Sequence, residues 1–242
     1  MGTNMKKVCV IFLTEVLLWG CSDSNPANNN PIEKPPFENE EECLAQHFWY
    51  LETIEDKVLI DTLLLPNKIL IGFELITPDS EIVKFINNNP VFENIDESKI
   101  RFISNEYWGI HFRLLIAKTE TNKTCSEIAG IIKTLKTNPT VLFANYTYQS
   151  GLWFGGIYYD VMSYTDEILV KVFDENDLTD LNEVVAQTNT VVKRQNEFMK
   201  DWFTITVTKN SKYDALKMAQ YFFETGKFIY SNPNMWDFID KD

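Results

Sequence analysis

The amino-acid sequence predicts an α+β fold in which one strand–helix–strand–strand–helix–strand unit is used twice. Three observations point to it. Two helical segments with the same style of cap and the same apolar face, Thr124–Leu135 and Ser211–Phe222, lie 87 positions apart. Two alternating segments, "NEYWGIHFRLLIAK" (105–118) and "NEFMKDWFTITVTK" (196–209), align without a gap at a spacing of 91. A third pair, "KILIGF" (68–73) and "EILVKV" (167–172), recurs at 99. A drifting spacing places the length differences in loops and helix ends, which tolerate them.

The first 21 residues, "MGTNMKKVCVIFLTEVLLWGC", put Lys6 and Lys7 ahead of an apolar run over 8–19 that closes on Gly20-Cys21. That is the form of an export signal, too short for a stable membrane span. Its Leu-Leu-Trp-Gly-Cys ending resembles a bacterial lipobox. The resemblance implies cleavage before Cys21 and lipid on its sulfur. Ser22 is not the aspartate that retains such proteins at the inner membrane in some bacteria, so an outer-membrane lipoprotein is expected. Residues 21–43 hold four of the nine prolines and a run of asparagines. Such a segment buries too little surface to offset its ordering entropy and reads as a flexible tether.

The first repeat unit is placed over 44–148 and the second over 149–242. Each opens on an aromatic hairpin, "HFWYLETIEDKVLI" (47–60) and "YTYQSGLWFGGIYY" (146–159), with turns at Glu55-Asp56 and Gly155-Gly156. The first helix of each unit shows apolar residues at helical spacing. These are Ile82, Phe85 and Ile86 after Thr77-Pro78, and Leu178, Leu181, Val184 and Val185. The strand before the second helix alternates: Phe112, Leu114 and Ile116 match Phe203, Ile205 and Val207. Capping boxes are expected at Thr124 with Glu127 and at Ser211 with Asp214. The apolar faces behind them are Ile128, Ile131, Ile132 and Leu135, and Ala215, Met218, Ala219 and Phe222. Gly226 is the expected left-handed stop. Short last strands follow, Val141–Asn145 and Phe228–Asn232. This order is the split-βαβ, ferredoxin-like arrangement. It predicts two tandem four-stranded antiparallel sheets with the helices on one face. Right-handed crossovers then set the first strand between the third and fourth.

Hydrophobic residues at 45% and charged residues at 24% exclude global disorder. A net charge of −13 repels nucleic acid and anionic headgroups, so no nucleic-acid partner is expected and the membrane is met through the lipid alone. His47 and His111 are the only histidines, without metal-type spacing, and no phosphate loop occurs. No enzyme, metal or cofactor is expected. Once Cys9 leaves with the signal and Cys21 is lipidated, Cys43 and Cys125 allow one pair. The sequence cannot show their separation, and the balance falls slightly toward free thiols.

The stretches "TDEILVKVFDENDLTDLNEV" (165–184) and "WFTITVTKNSKYDALKMAQYFFETGKFIYSNPNM" (202–235), with the hairpin before them, carry a resemblance. They are similar to the fervidolysin-like prodomain of subtilisin-like serine proteases, through Ala215, Ala219, Glu224, Thr225, Gly226, Tyr230 and Pro233-Asn234. About a third of the chain is covered. The resemblance implies a fold that docks on a protease by its open sheet face. It also implies a C-terminal tail lying as an added strand in the substrate cleft. No subtilisin Asp, His-Gly or Gly-Thr-Ser motif is present, so the expectation is a prodomain-like lipoprotein acting in trans on a subtilisin-like protease. The partner-binding residues this implies are Trp202, Thr204 and Thr206 on the open face, and Asn232, Pro233, Asn234, Met235 and Trp236 in the tail. Two alternatives stand. One is a surface interaction or glycan-binding protein, with Trp49, Trp153, Phe154, Tyr158 and Tyr159 as a stacking platform or as hairpin core. The other is a tail that simply packs on its own domain.

Overall fold

Alternation shapes the central strand. From Tyr164 to Val172, even-numbered apolar residues of "YTDEILVKV" are buried on one side, and Thr165, Glu167 and Lys171 fall on the other. In the computed structural model, residues 45–51, 57–96, 112–151, 153–154 and 157–238 are described, with side chains for 63–96, 112–151 and 159–238. The described residues all fall in one compact unit.

The described elements run β1 (Ala45–Leu51), β2 (Lys57–Glu74), α1 (Asp79–Asn87), β3 (Phe112–Lys118), α2 (Cys125–Thr137), β4 (Val141–Gln149), β5 (Trp153–Phe154), β6 (Ile157–Tyr158), β7 (Val161–Lys171), α3 (Thr179–Thr188), β8 (Val191–Gln195), β9 (Trp202–Thr206), α4 (Ala215–Glu224) and β10 (Tyr230–Phe238). In the second half, β7 pairs β9 on one edge and β10 along the other, and β8 extends β9, all antiparallel. In the first half, β2 pairs both β3 and β4. β7 thus lies between β9 and β10, the third and fourth strands of the second half, as right-handed crossovers require, and β2 is flanked in the same way by β3 and β4. Residues 97–111, between α1 and β3, lie outside the described residues, and His111 with them.

Two separate four-stranded sheets do not form. Thr147–Gln149 of β4 pairs antiparallel with Val161–Ser163 of β7, which fuses both halves into one eight-stranded sheet. The strands are also longer than their periodicity suggested. β2 starts in the preceding hairpin arm at Lys57, β7 starts at Val161 and runs eleven residues, and β4 and β10 each run nine. Long-range pairing supports residues such as Tyr146–Gln149 that local alternation leaves ambiguous. The β1–β2 hairpin and the short β5–β6 hairpin are both present, while their turn residues lie outside the described set.

One core spans both halves on the helix-bearing face. Ala215, Met218, Ala219 and Phe222 of α4 are at most 2% exposed, and Ile128, Ile132 and Leu135 of α2 join the same cluster. Tyr148 stacks on Tyr164 at 6.4 Å across the junction. A smaller cluster on the other face joins Leu70, Leu114, Phe112 and Phe143 of the first half to Val161 and Phe238 of the second. Gly72 makes room for it: a Cβ there would sit 2.2 Å from the Phe143 ring.

Local signals hold at three points and fail at one. Thr124 and Glu127 form the capping box, and Gly226 takes a positive φ of 68°. The apolar helix faces turn inward. The cap of α4, however, is Asp214, whose carboxylate accepts from Lys217 N at 2.9 Å. Ser211 Oγ instead accepts from Thr208 N and donates to Asn189 O, holding the loop before the helix. Cys125 is disulfide-bonded, against the sequence balance toward free thiols, and its partner lies outside the described residues.

Candidate functional site: the open sheet face of the second half

β7, β9 and β10 set the geometry, because directly paired residues share a face. Tyr230, Lys171 and Trp202 form the outermost row, since Lys171 is the partner of both neighbours. The Trp202 and Tyr230 rings lie 4.9 Å apart at 57°, and both residues are half-buried. Lys171 Nζ sits 5.8 Å from the Trp202 centroid and 3.4 Å from Asp201. The next row is Asn232, Leu169, Thr204 and Arg194. Thr204 and Asn232 are buried, and Asn232 Nδ2 donates to the Tyr230 hydroxyl.

A buried charge lies beneath these rows. Glu167 is 1% exposed and accepts from Lys193 Nζ at 2.5 Å and from Asn234 Nδ2 at 3.1 Å. Lys193 Nζ also lies 5.4 Å from the Phe112 centroid, so this pair touches the first half. A buried carboxylate needs such partners, and removing the lysine would leave it uncompensated. Asp166, its chain neighbour on the helix side, has its carboxyl pushed up to about 7. Burial is the main cause and Glu167 adds to it, while Lys193 and Lys136 oppose it.

The tail is a strand of this sheet. From Tyr230 to Phe238 it is paired with β7, with a bulge between Pro233 and Met235. Of the two sequence readings, the packed terminal strand is the one that forms. Pro233 faces Ile168 and Met235 packs on the main core, so those two leave the candidate face. Asn232, Asn234 and Trp236 share the side of Trp202, Thr204 and Thr206. Trp236 leans on the smaller cluster, with its buried Nε1 lacking a hydrogen-bond acceptor. Pairing explains the difference: releasing the tail would break nine residues of strand and uncover Phe238, which is 3% exposed.

The side chains of Trp49, Trp153, Phe154 and Tyr158 lie outside the described residues, and Tyr159 is half-buried. Among the described residues, no group of three or more His, Cys, Asp or Glu side chains could hold a metal ion. No helix among them is long and apolar enough to cross a membrane.

Sequence reasoning missed Tyr230 as the partner of Trp202, the Glu167–Lys193–Asn234 set and the apolar end of the sheet. Phe173, Phe198 and Met199 there are 67%, 92% and 49% exposed. Alternation along 167–171 would have put Glu167 on the open face, but its burial depends on Lys193, a long-range neighbour. Phe198 fell inside a segment read as strand. Asn196 makes it a turn instead, its Oδ1 accepting from Phe198 N and Met199 N.

No family model matches the chain, and no curated protein matches it. Among solved structures, the acetolactate synthase small subunit from Thermotoga maritima is similar over 72% of this chain and 98% of that chain. The identity is 10% and the TM-score 0.23. A superposition that loose carries no argument about fold or function.

Proposed function

We propose that this chain is an exported, non-enzymatic binding protein, built from two copies of a ferredoxin-like module and held at the outer membrane by lipid on Cys21. Its partner is bound by the open face of the second copy. One observation carries the reading: the half-buried Trp202–Tyr230 pair with Lys171, an aromatic and cationic row on a sheet face that no helix among the described residues covers. Aromatic anchors of this kind dominate protein interfaces. The disulfide at Cys125 supports export, because such bonds persist in oxidising compartments.

The partner class suggested by the prodomain resemblance is a subtilisin-like protease. With the tail held in the sheet, the proposed mode is docking by the face, without a peptide in the cleft. The test is binding of residues 35–242 to a subtilisin-like protease from the same genome, disabled at its nucleophile. A second assay follows hydrolysis of a small peptide substrate by the active enzyme. The reading predicts binding that Trp202→Ala weakens about tenfold or more, with peptide hydrolysis intact. Full inhibition would return the tail to the cleft, and absence of binding would remove the protease. In the second case a glycan ligand takes precedence, since Trp202 and Tyr230 also present stacking surface beside Asn232 and Arg194.

A further inference from the structure

The end of the sheet beside Trp202 carries a second kind of surface. The β7–α3 loop (172–178) and the β8–β9 turn (196–201) lie side by side, joined by Val172 N donating to Asp201 O at 2.9 Å. Neither is loose. Asn196 holds the turn amides, Asn196 N donates to Trp202 O at 2.8 Å, and Trp202 N donates to Met199 O at 3.0 Å. In the other loop, Asp174 Oδ1 accepts from Asn176 N at 2.9 Å. Braced this way, the loops display Phe173, Phe198 and Met199 to solvent. An apolar side chain on a pre-ordered loop loses little entropy on binding, which is what makes an effective anchor.

The charge around these anchors selects the occupant. The two loops carry Asp174, Glu175, Asp177, Glu197 and Asp201 against a single Lys200. Asp201 is paired with Lys171, and the other four acids face solvent. Anionic bilayers are repelled by such a rim, and so is a second copy of a chain carrying −13. We propose that this end of the sheet is the energetic centre of the binding surface, and that its partner is a protein segment presenting apolar side chains flanked by lysine or arginine. The proposal rests on the binding-protein reading and names the chemistry of that partner.

The test uses a phage-displayed library of random dodecamers selected on residues 35–242. The strongest peptide is then synthesised and its affinity measured by fluorescence anisotropy. Enrichment of peptides combining aromatic or aliphatic residues with Lys or Arg is expected. Phe198→Ser should weaken the selected peptide about tenfold or more. The double variant Glu175→Gln/Glu197→Gln should weaken it about threefold and flatten its salt dependence. Asn210→Asp, at the opposite end of β9, should change nothing. All these sites are exposed, and near-UV circular dichroism confirms each variant's fold.

Selected peptides without basic residues, or binding indifferent to Phe198→Ser, would overturn the proposal. So would self-association abolished by Phe198→Ser, which assigns the surface to a second copy, or binding to phosphatidylcholine vesicles abolished by the same change. Peptide binding lost in Trp202→Ala but kept in Phe198→Ser would overturn this inference alone and leave the open-face reading standing.

Discussion

The two ends of β7 place the same kinds of side chain in opposite environments. At its start, Tyr164 stacks on Tyr148, and Val161 packs with Phe238, Phe112 and Phe143 from three other strands. All are nearly fully buried. Past its other end, Phe173, Phe198 and Met199 stand in solvent on braced loops. At the start of β7, two halves of the chain arrive together and close over the rings. At the far end only one half is present, and nothing among the described residues covers them. The difference teaches that aromatic content alone does not separate core from exposed surface in this fold. What separates them is whether a second strand pair crosses the same end of the sheet.

The buried end should dominate stability. Phe238→Ala removes a ring that is 3% exposed at the junction, and should cost about 3–5 kcal/mol in urea unfolding of residues 35–242. A cost below about 1 kcal/mol would mean that the β10 terminus does not close the junction.

Asp166, midway along β7, sharpens the comparison through pH. Its folded carboxyl titrates near 7 against an ordinary 3.8, so between those values the folded state binds more protons than the unfolded one. Stability from this group is therefore fully present below about pH 4 and declines as pH rises toward 7. Asp166→Asn should match the native chain at pH 4 and exceed it at pH 8 by about 2–4 kcal/mol, read from urea midpoints at both pH values. An equal shift at both would show that the carboxyl titrates normally.

Smaller again is the helix stop behind the junction strand. Gly226 has room for a Cβ but a φ of 68°. Gly226→Ala should cost about 1–2 kcal/mol in the same unfolding experiment, from backbone strain alone.

Much of this architecture was legible in the sequence, and the reasons are local. The Thr124–Glu127 box, the face Ala215, Met218, Ala219 and Phe222, and the stop at Gly226 all depend on neighbours within one or two helical turns. Self-comparison alone pointed to the shared pattern of β2 flanked by β3 and β4 and β7 flanked by β9 and β10. The cap at Asp214 was misplaced because Ser211 and Asp214 both suit the role, and the loop's bond to Asn189 decides between them. The fused sheet was not legible. It rests on three residue pairs, Thr147–Ser163 to Gln149–Val161, between strands joined by a hairpin whose length does not announce the contact. Trp202, Thr204 and Thr206 were correctly aligned on one face, yet Thr204 is buried there and Trp202 leans on Tyr230. The tail was read as a docking peptide from the prodomain resemblance, and Pro233-Asn234 interrupts its alternation. In the sheet that interruption is a bulge, which lets β10 continue to Phe238.

The most direct test of the contrast between the two ends is the urea midpoint of Phe198→Ser, compared with native residues 35–242. If the ring stands in solvent, as its 92% exposure implies, the midpoint should stay within about 0.5 kcal/mol of the native value. A loss of about 2 kcal/mol or more would show that Phe198 is buried in the folded chain, and the distinction between a closed end and an open end would fall.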